Sequence, residues 1–373
     1  MNMKTPKTIV VKFGTSVLTQ GGNRLCLSHM VEIVRELARL ESSGVQVVVV
    51  SSGAQAAGRE TLGYPKLPKN LINRQMVATV GQNRLFNTWQ NLFSIYGFNV
   101  GQILLTGADL EDRVRYLNAR DTIRAMLEHK IIPVINENDA LATPGIKIGD
   151  NDNLSARVAV MIEADLLVLL TDQKGLYTAN PEKDKSARFI YVVPEITDEI
   201  RAMAGGSVSG LGTGGMSTKI EAASIATMSG IDTVVMSGAE PANIGDLLRG
   251  GSHGTLFRGS ENPVLSRKMW IVSCKVPSGS IFVDSGAAKA ILERGSSLLP
   301  SGIKKVEGEF GRREVVSVRS LEGKELGRGI TRYSSKELGL IMGHHSDEFE
   351  KILGYECGSV AVHRDDLAVS EGI

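Results

Sequence analysis

Cysteine is scarce: three residues in 373, Cys26, Cys274 and Cys357, too far apart to make a CxxC pair or any metal-ligand spacing. That rules out a disulfide framework or a zinc module, and the thiols read as buried or incidental groups of a reducing compartment. An excess of one charge is also missing. The 42 Lys+Arg against 41 Asp+Glu leave a net charge of +1, so no global field draws the chain to nucleic acid or a membrane surface. No apolar run approaches membrane-spanning length, and the run in MNMKTPKTIVVKFG is too short for a signal peptide, so a cytoplasmic location is expected. The six histidines lie outside the polar turns described below, and no Ser/His/Asp spacing or covalent nucleophile stands out. The adjacent His344 and His345 have no partner at ligand spacing and read as loop or capping residues.

What is present is the composition of a soluble globular protein, 42% hydrophobic and 22% charged, at a length that fits two domains. Lys7 to Lys12 (KTIVVK) reads as a strand closed by Gly14-Thr15-Ser16. Val45 to Val50 (VQVVVV) is apolar at every position, the mark of a strand buried on both faces as in a parallel sheet. A helix over Ser28 to Leu40 lies between them. Further strands are expected at 100–105, 131–135, 166–170 and 233–236. Helices are expected at 71–93, 109–129, 153–163 and after Lys219. Strands alternating with helices make βαβ crossovers and a mostly parallel sheet sandwiched by helices.

Ligands of such sheets bind beyond the carboxyl ends of the strands. The strand-end turns here are unusually polar: Gly14-Thr15-Ser16, Ser51-Ser52-Gly53, Asn136-Glu137-Asn138-Asp139 and Thr171-Asp172, with Gly149-Asp150-Asn151-Asp152-Asn153 at the start of a helix. Any one of them is accounted for by turn or capping chemistry; five at one sheet edge favour a site.

The stretch SGLGTGGMSTK, Ser209 to Lys219, runs into an apolar helical pattern. Its glycines allow close backbone approach, and N–H groups at a helix start attract anions. Gly210, Gly212 and Gly215 spell GxGxxG, yet no strand precedes them, so the dinucleotide fingerprint fails on context. The phosphate-loop pattern fails as well, because Met216 stands where its lysine belongs. Lys12 and Lys219 are each placed to meet a transferring phosphoryl group, which needs positioning and charge neutralisation rather than covalent chemistry. Snorkelling at a strand end for Lys12, and a flexible glycine loop with a solvated lysine for Lys219, remain the alternatives. Asp152 suits holding the lysines, and Asp172 suits nucleotide or metal.

After Gly259 the pattern changes to short strands with glycine turns (280–283, 314–319, 358–363) and one helix (287–294). The division expected is 1–259 for the first domain, 260–276 for a linker and 277–373 for a smaller, mainly β domain.

Taken together, VVKFGTSVL, SSGAQAAGRE, INENDA, KIGDNDNLSA, LLTDQKGLY and GLGTGGMSTK resemble the amino-acid kinase superfamily, and the tail, with VDSGAAKAILERGSSLLPSGI and VAVHRDD, resembles a PUA domain. The resemblance spans nearly the whole chain. It implies ATP-dependent phosphorylation of the γ-carboxylate of L-glutamate, the first step of proline biosynthesis, giving γ-glutamyl 5-phosphate. It assigns Lys12, Lys219 and Asp152 to catalysis. Ser52, Asp139 and Asn151 are assigned to glutamate, with Asn136, Asp150 and Lys147 in support. ATP falls to Lys12, Thr171 and Asp172 together with Thr213, Gly214, Gly215, Met216, Ser217, Thr218 and Lys219. Mg²⁺ is implied as an ion bridging the phosphates, without a protein cage of its own. The resemblance also implies feedback inhibition by proline, a homo-oligomer (dimer or tetramer) and a γ-glutamyl phosphate reductase as partner. Kinases of aspartate or N-acetylglutamate are the alternative within the same chemistry. RNA binding by the tail is the rival from another class. From Lys275 onward 14 Lys/Arg face 15 Asp/Glu, a poor electrostatic funnel for a polyanion, so RNA is not expected as a partner.

Overall fold

Strands that are apolar on successive positions must bury both faces, and they do. The structure, a computed structural model, describes residues 5–68, 70–141, 150–181, 183–204, 215–263, 268, 271, 277–355 and 358–369. It divides into two compact units, one made of most of the chain up to Ser260 and the other mainly of Glu261 onward.

In the first unit the strands are β1 (Thr8–Phe13), β2 (Gln46–Ser51), β3 (Asn99–Leu105), β4 (Ile131–Glu137), β5 (Leu166–Thr171), β6 (Val192–Val193), β7 (Asp232–Ser237) and β8 (Thr255–Phe257). The helices are α1 (Thr15–Thr19), α2 (Leu27–Ser42), α3 (Ala54–Thr61), α4 (Leu71–Ser94), α5 (Gly107–Glu111), α6 (Arg113–Glu128), α7 (Asn151–Ile162), α8 (Asp198–Met203), α9 (Met216–Met228) and α10 (Ala242–Leu248). The sheet order is β3-β4-β2-β1-β5-β7-β8-β6. All neighbours from β3 to β7 run parallel, and β8 enters antiparallel to β7.

The period-2 alternation splits each central strand between two cores. Ile9, Val11 and Phe13 join Val47, Val49, Val168 and Trp89 on one face. Val10, Val48, Val50, Leu167 and Leu169 join the apolar sides of α7 and α9 on the other. Each such aliphatic side chain is worth about 1.5–3 kcal/mol when fully buried.

On the first face α3 and α4 cross at two glycines. A Cβ on Gly81 would stand 1.8 Å from the Ala54 carbonyl oxygen, and one on Gly58 would stand 1.8 Å from the Val77 carbonyl oxygen. No side chain larger than hydrogen fits either place.

Several expectations are adjusted. The single helix expected at 109–129 is two, α5 and α6. The antiparallel strand β8, the two-residue β6 and the helix α3 had no periodicity long enough to announce them. In the second unit a five-stranded sheet has β9 (Gly279–Val283), β10 (Ile303–Glu307), β11 (Val315–Ser320), β12 (Glu325–Thr331) and β13 (Val362–Val369) in the order β10-β9-β11-β12-β13. The strand expected at 358–363 lies further on, as β13. His345 and Glu348 form a capping box at a short 3₁₀ turn, and His344 Nδ1 lies 3.3 Å from the same Glu348 carboxylate.

Candidate active site

Parallel register aligns the carboxyl ends of the central strands. Phe13 pairs with Ser51 and with Leu170, Val50 with Ile135, and Thr171 with Ser237. The polar turns that follow these strands therefore open at one sheet edge, around a cavity of about 520 Å³. Lys12, Ser52, Asn136, Asp139, Asp150, Asn151, Thr171, Asp172 and Lys219 all line it, alongside Gly14 to Ser16, Gly53 to Gln55 and Glu137. Gly53, at the start of α3, has φ +101°, a left-handed backbone that a side-chain-bearing residue adopts only under strain. It lets the chain turn from Ser52 directly into α3.

Lys12 and Lys219, which line the cavity, belong to a buried charge triad. Asp152, fully buried in the first turn of α7, places Oδ1 2.6 Å from Lys12 Nζ and Oδ2 3.1 Å from Lys219 Nζ. The two lysines are 5% and 4% exposed. Thr218 adds a third restraint: its hydroxyl donates to Asp152 Oδ2 at 2.9 Å. Burial pushes the Asp152 carboxyl up, but the two ammonium groups and the Thr218 hydroxyl outweigh it and hold the group below the usual carboxylate range. Asp150 goes the other way: burial raises it, and the charge of Asp152 raises it further. Its Oδ1 meanwhile accepts from the Asn153 N–H at 3.0 Å and so caps α7. One carboxylate orders the lysines and its neighbour starts the helix that carries it.

Beside the triad is a neutral amide and hydroxyl set. The two N–H bonds of Asn151 Nδ2 are shared among three acceptors, Ser52 Oγ at 2.9 Å, Asn136 Oδ1 at 2.9 Å and, more weakly, the Ser51 carbonyl at 3.3 Å. Asn151 Oδ1 is buried without a hydrogen-bond partner, an acceptor left for a donor such as an ammonium group. Across the cavity the Thr171 hydroxyl donates to Asp172 Oδ1 at 2.9 Å.

The structure thus brings Lys12, Lys219 and Asp152 together, with Ser52 and Asn136 each in direct contact with Asn151. Met216 and Ser217, in the first turn of α9, are not among the residues that line the cavity, and Met216 packs partly against the core. Lys147, Thr213 and Gly214 lie outside the described residues, as does the rest of the glycine stretch before Gly215. Sequence reasoning missed Gln82, whose Oε1 accepts from Asn136 Nδ2 at 2.7 Å, and Trp89, whose indole N–H donates to the Ser51 hydroxyl at 2.9 Å. Both sit on α4, a helix that ends in no polar turn and so gave no signal.

A parallel sheet with two lysines clamped on one buried aspartate at its carboxyl edge has the layout of a phosphoryl-transfer enzyme, and the sequence places it in a family. Residues 7–237 match the amino acid kinase family, and residues 279–353 match the PUA domain; the chain belongs to the amino acid kinase family. Its relatives include proteins named glutamate 5-kinase from Escherichia fergusonii, 58% identical over 365 residues, and from Shigella flexneri, 57% identical over 365 residues. Each alignment covers 98% of this chain and 99% of the relative.

Proposed function

We propose that this protein transfers the γ-phosphoryl group of ATP to the γ-carboxylate of L-glutamate, giving γ-glutamyl 5-phosphate and ADP. The observation that carries the proposal is the Lys12–Asp152–Lys219 triad beside the Ser52–Asn136–Asn151 set, in a chain 58% identical to a glutamate 5-kinase over nearly its full length. Phosphoryl transfer between a carboxylate and a triphosphate brings two anions together. The enzyme's task is to place them in line and to neutralise the charge on the equatorial oxygens. Lys12 and Lys219 are the point charges for that task, and Asp152 keeps them from repelling one another before the phosphates arrive. Asp150, Asp139 and Asn151, the last with its Oδ1 unpartnered, line the same cavity, a lining that suits a free α-ammonium group. It disfavours N-acetylglutamate, whose neutral amide brings no positive charge to set against the two carboxylates.

Mg²⁺ belongs to the nucleotide substrate in this reading. Such an ion is held by phosphate oxygens and water with one or two carboxylates. Thr171, Asp172 and the Gly215 end of α9 are the nucleotide side. Proline as feedback inhibitor, a homo-oligomer and a reductase that consumes the labile acyl phosphate come with the family resemblance. No helix among the described residues is long and apolar enough to cross a membrane.

The test is ATP consumption with hydroxylamine trapping, run in parallel on L-glutamate, L-aspartate and N-acetyl-L-glutamate. A hydroxamate from glutamate is expected. A hydroxamate from aspartate and none from glutamate would overturn the assignment. For the tail, labelled RNA at low salt is expected to stay unbound.

A further inference from the structure

We propose that Gln82, which does not line the cavity, is a positioning residue for the acceptor substrate. It fixes the amide of Asn136 and, through it, the pattern of donors and acceptors that Asn151 and Ser52 present. The proposal rests on the reading of the Ser52–Asn136–Asn151 set as the carboxylate-substrate side of the site.

Two backbone groups set the direction of the hydrogen bonds. The Glu137 N–H can only donate, and it lies 2.9 Å from the Asn136 side chain, so the atom facing it is Oδ1. The Ser51 carbonyl can only accept, so the Asn151 atom facing it is Nδ2. Asn136 Oδ1 then accepts twice, from Glu137 N–H and from Asn151 Nδ2. Asn136 Nδ2 is turned away from Asn151, toward α4, and needs an acceptor there. Gln82 Oε1 supplies it at 2.7 Å.

The consequence reaches the cavity. Because Asn151 Nδ2 is occupied by Asn136, Ser52 and Ser51, its Oδ1 is the atom left over, buried and without a partner. Because Ser52 Oγ accepts from Asn151, its own hydrogen is available to donate to a substrate oxygen. An acceptor and a donor are thus offered side by side, a match for the ammonium and carboxylate of an α-amino acid. The glycine crossing holds the arrangement in place: Gly81 seats α4 against the backbone of α3, and the next residue is Gln82.

The experiment compares Gln82→Met, which keeps length and loses the acceptor, with Gln82→Glu, which keeps an acceptor at the same reach. It is run with whichever of the three acceptors the wild-type protein phosphorylates, so the wild-type control judges the substrate and the variants judge Gln82. Gln82→Met is expected to raise KM for the acceptor roughly 5- to 20-fold, the effect of leaving one buried donor unpaired, while KM for ATP stays within about twofold. Gln82→Glu should remain within about threefold of wild type on both. An unchanged acceptor KM in Gln82→Met would overturn the proposal. So would a rise of both KM values together, or a Gln82→Glu protein as impaired as Gln82→Met. Should the methionine protein not fold, Gln82→Asn, one methylene too short to reach Asn136, is read in the same way.

Discussion

Asp152→Asn tests the charge triad most directly. The substitution keeps the shape and one acceptor oxygen but removes the negative charge that sits 2.6 Å from one buried ammonium and 3.1 Å from another. Breaking a buried ion pair by removing one partner costs about 3–5 kcal/mol, because a desolvated charge is left without its counter-ion. Here two are left, facing each other. For a unit of this size 1 kcal/mol moves the midpoint by about 2–4 °C, so the transition of the first unit should fall by roughly 6–20 °C in calorimetry. Adding Lys219→Met removes one of the stranded charges and should return part of the loss, so the double variant is expected to be more stable than the single one.

The pH dependence supplies an internal control. The Asp152 carboxyl is held below its ordinary value in the folded protein, so its stabilisation is present above the unfolded value near 3.9 and is lost as pH falls through the folded value. The gap between wild type and Asp152→Asn should therefore be full at neutral pH and narrow in acid. A midpoint that does not move at pH 7, or a double variant less stable than the single, would refute the argument that Asp152 compensates both lysines.

Four further outcomes are expected. Lys219→Ala should lower turnover about 10²- to 10³-fold, the size of loss seen when one donor to transition-state charge is removed, with the circular dichroism spectrum retained; wild-type turnover would make the lysine a bystander. Asp139→Ala should raise the glutamate concentration needed for half-maximal rate and leave the ATP requirement alone, and an unchanged glutamate dependence would remove Asp139 from the substrate side. In the second unit Glu337 accepts from Arg312, Tyr355 and both the backbone N–H and the hydroxyl of Ser334; against the opposing effect of burial these hold its carboxyl down at about 2. Its contribution, on the order of 2 kcal/mol after solvent screening, is present above about pH 4.5 and fades toward pH 2, so Glu337→Gln should destabilise that unit at pH 7 and make little difference at pH 2 in denaturant titrations. Gly81→Ala should cost about 1–3 kcal/mol or more through overpacking, read as an earlier unfolding midpoint, since its Cβ would meet backbone atoms at 1.8 and 2.3 Å.

The central sheet was legible because its strands carry their burial in their composition: VQVVVV has no polar face to hide, and Leu166 to Leu170 is apolar throughout. The site was legible where it sits at strand ends, because Gly14, Ser52, Asn136 and Thr171 interrupt those runs with polar residues. Gln82 was not, because its role depends on which side of a 24-residue helix meets a strand more than 50 residues away, and a local pattern holds no record of that. α3 escaped notice because it follows a left-handed glycine rather than a capping side chain. β12 was hidden by Gly327 and Gly329, which read as turn residues. They are glycines because a Cβ on Gly327 would stand 2.3 Å from the Ala368 carbonyl oxygen, and one on Gly329 would stand 2.4 Å from Val362 Cγ1.

The Lys12–Asp152–Lys219 triad also constrains when the enzyme can exist. Its first member lies in the opening strand, while its last follows Asp152 by 67 residues. During synthesis at about 5–20 residues per second, Lys12 is made on the order of ten seconds or more before Lys219. Until residues 166–171 are made β1 has no β5 beside it, and through the whole interval the two lysines share no carboxylate. Partial chains can pair β1 with β2 but have no means of gripping a phosphate. Activity is therefore a late event in the life of each molecule, and a chain stopped before α9 would be inert rather than partly active.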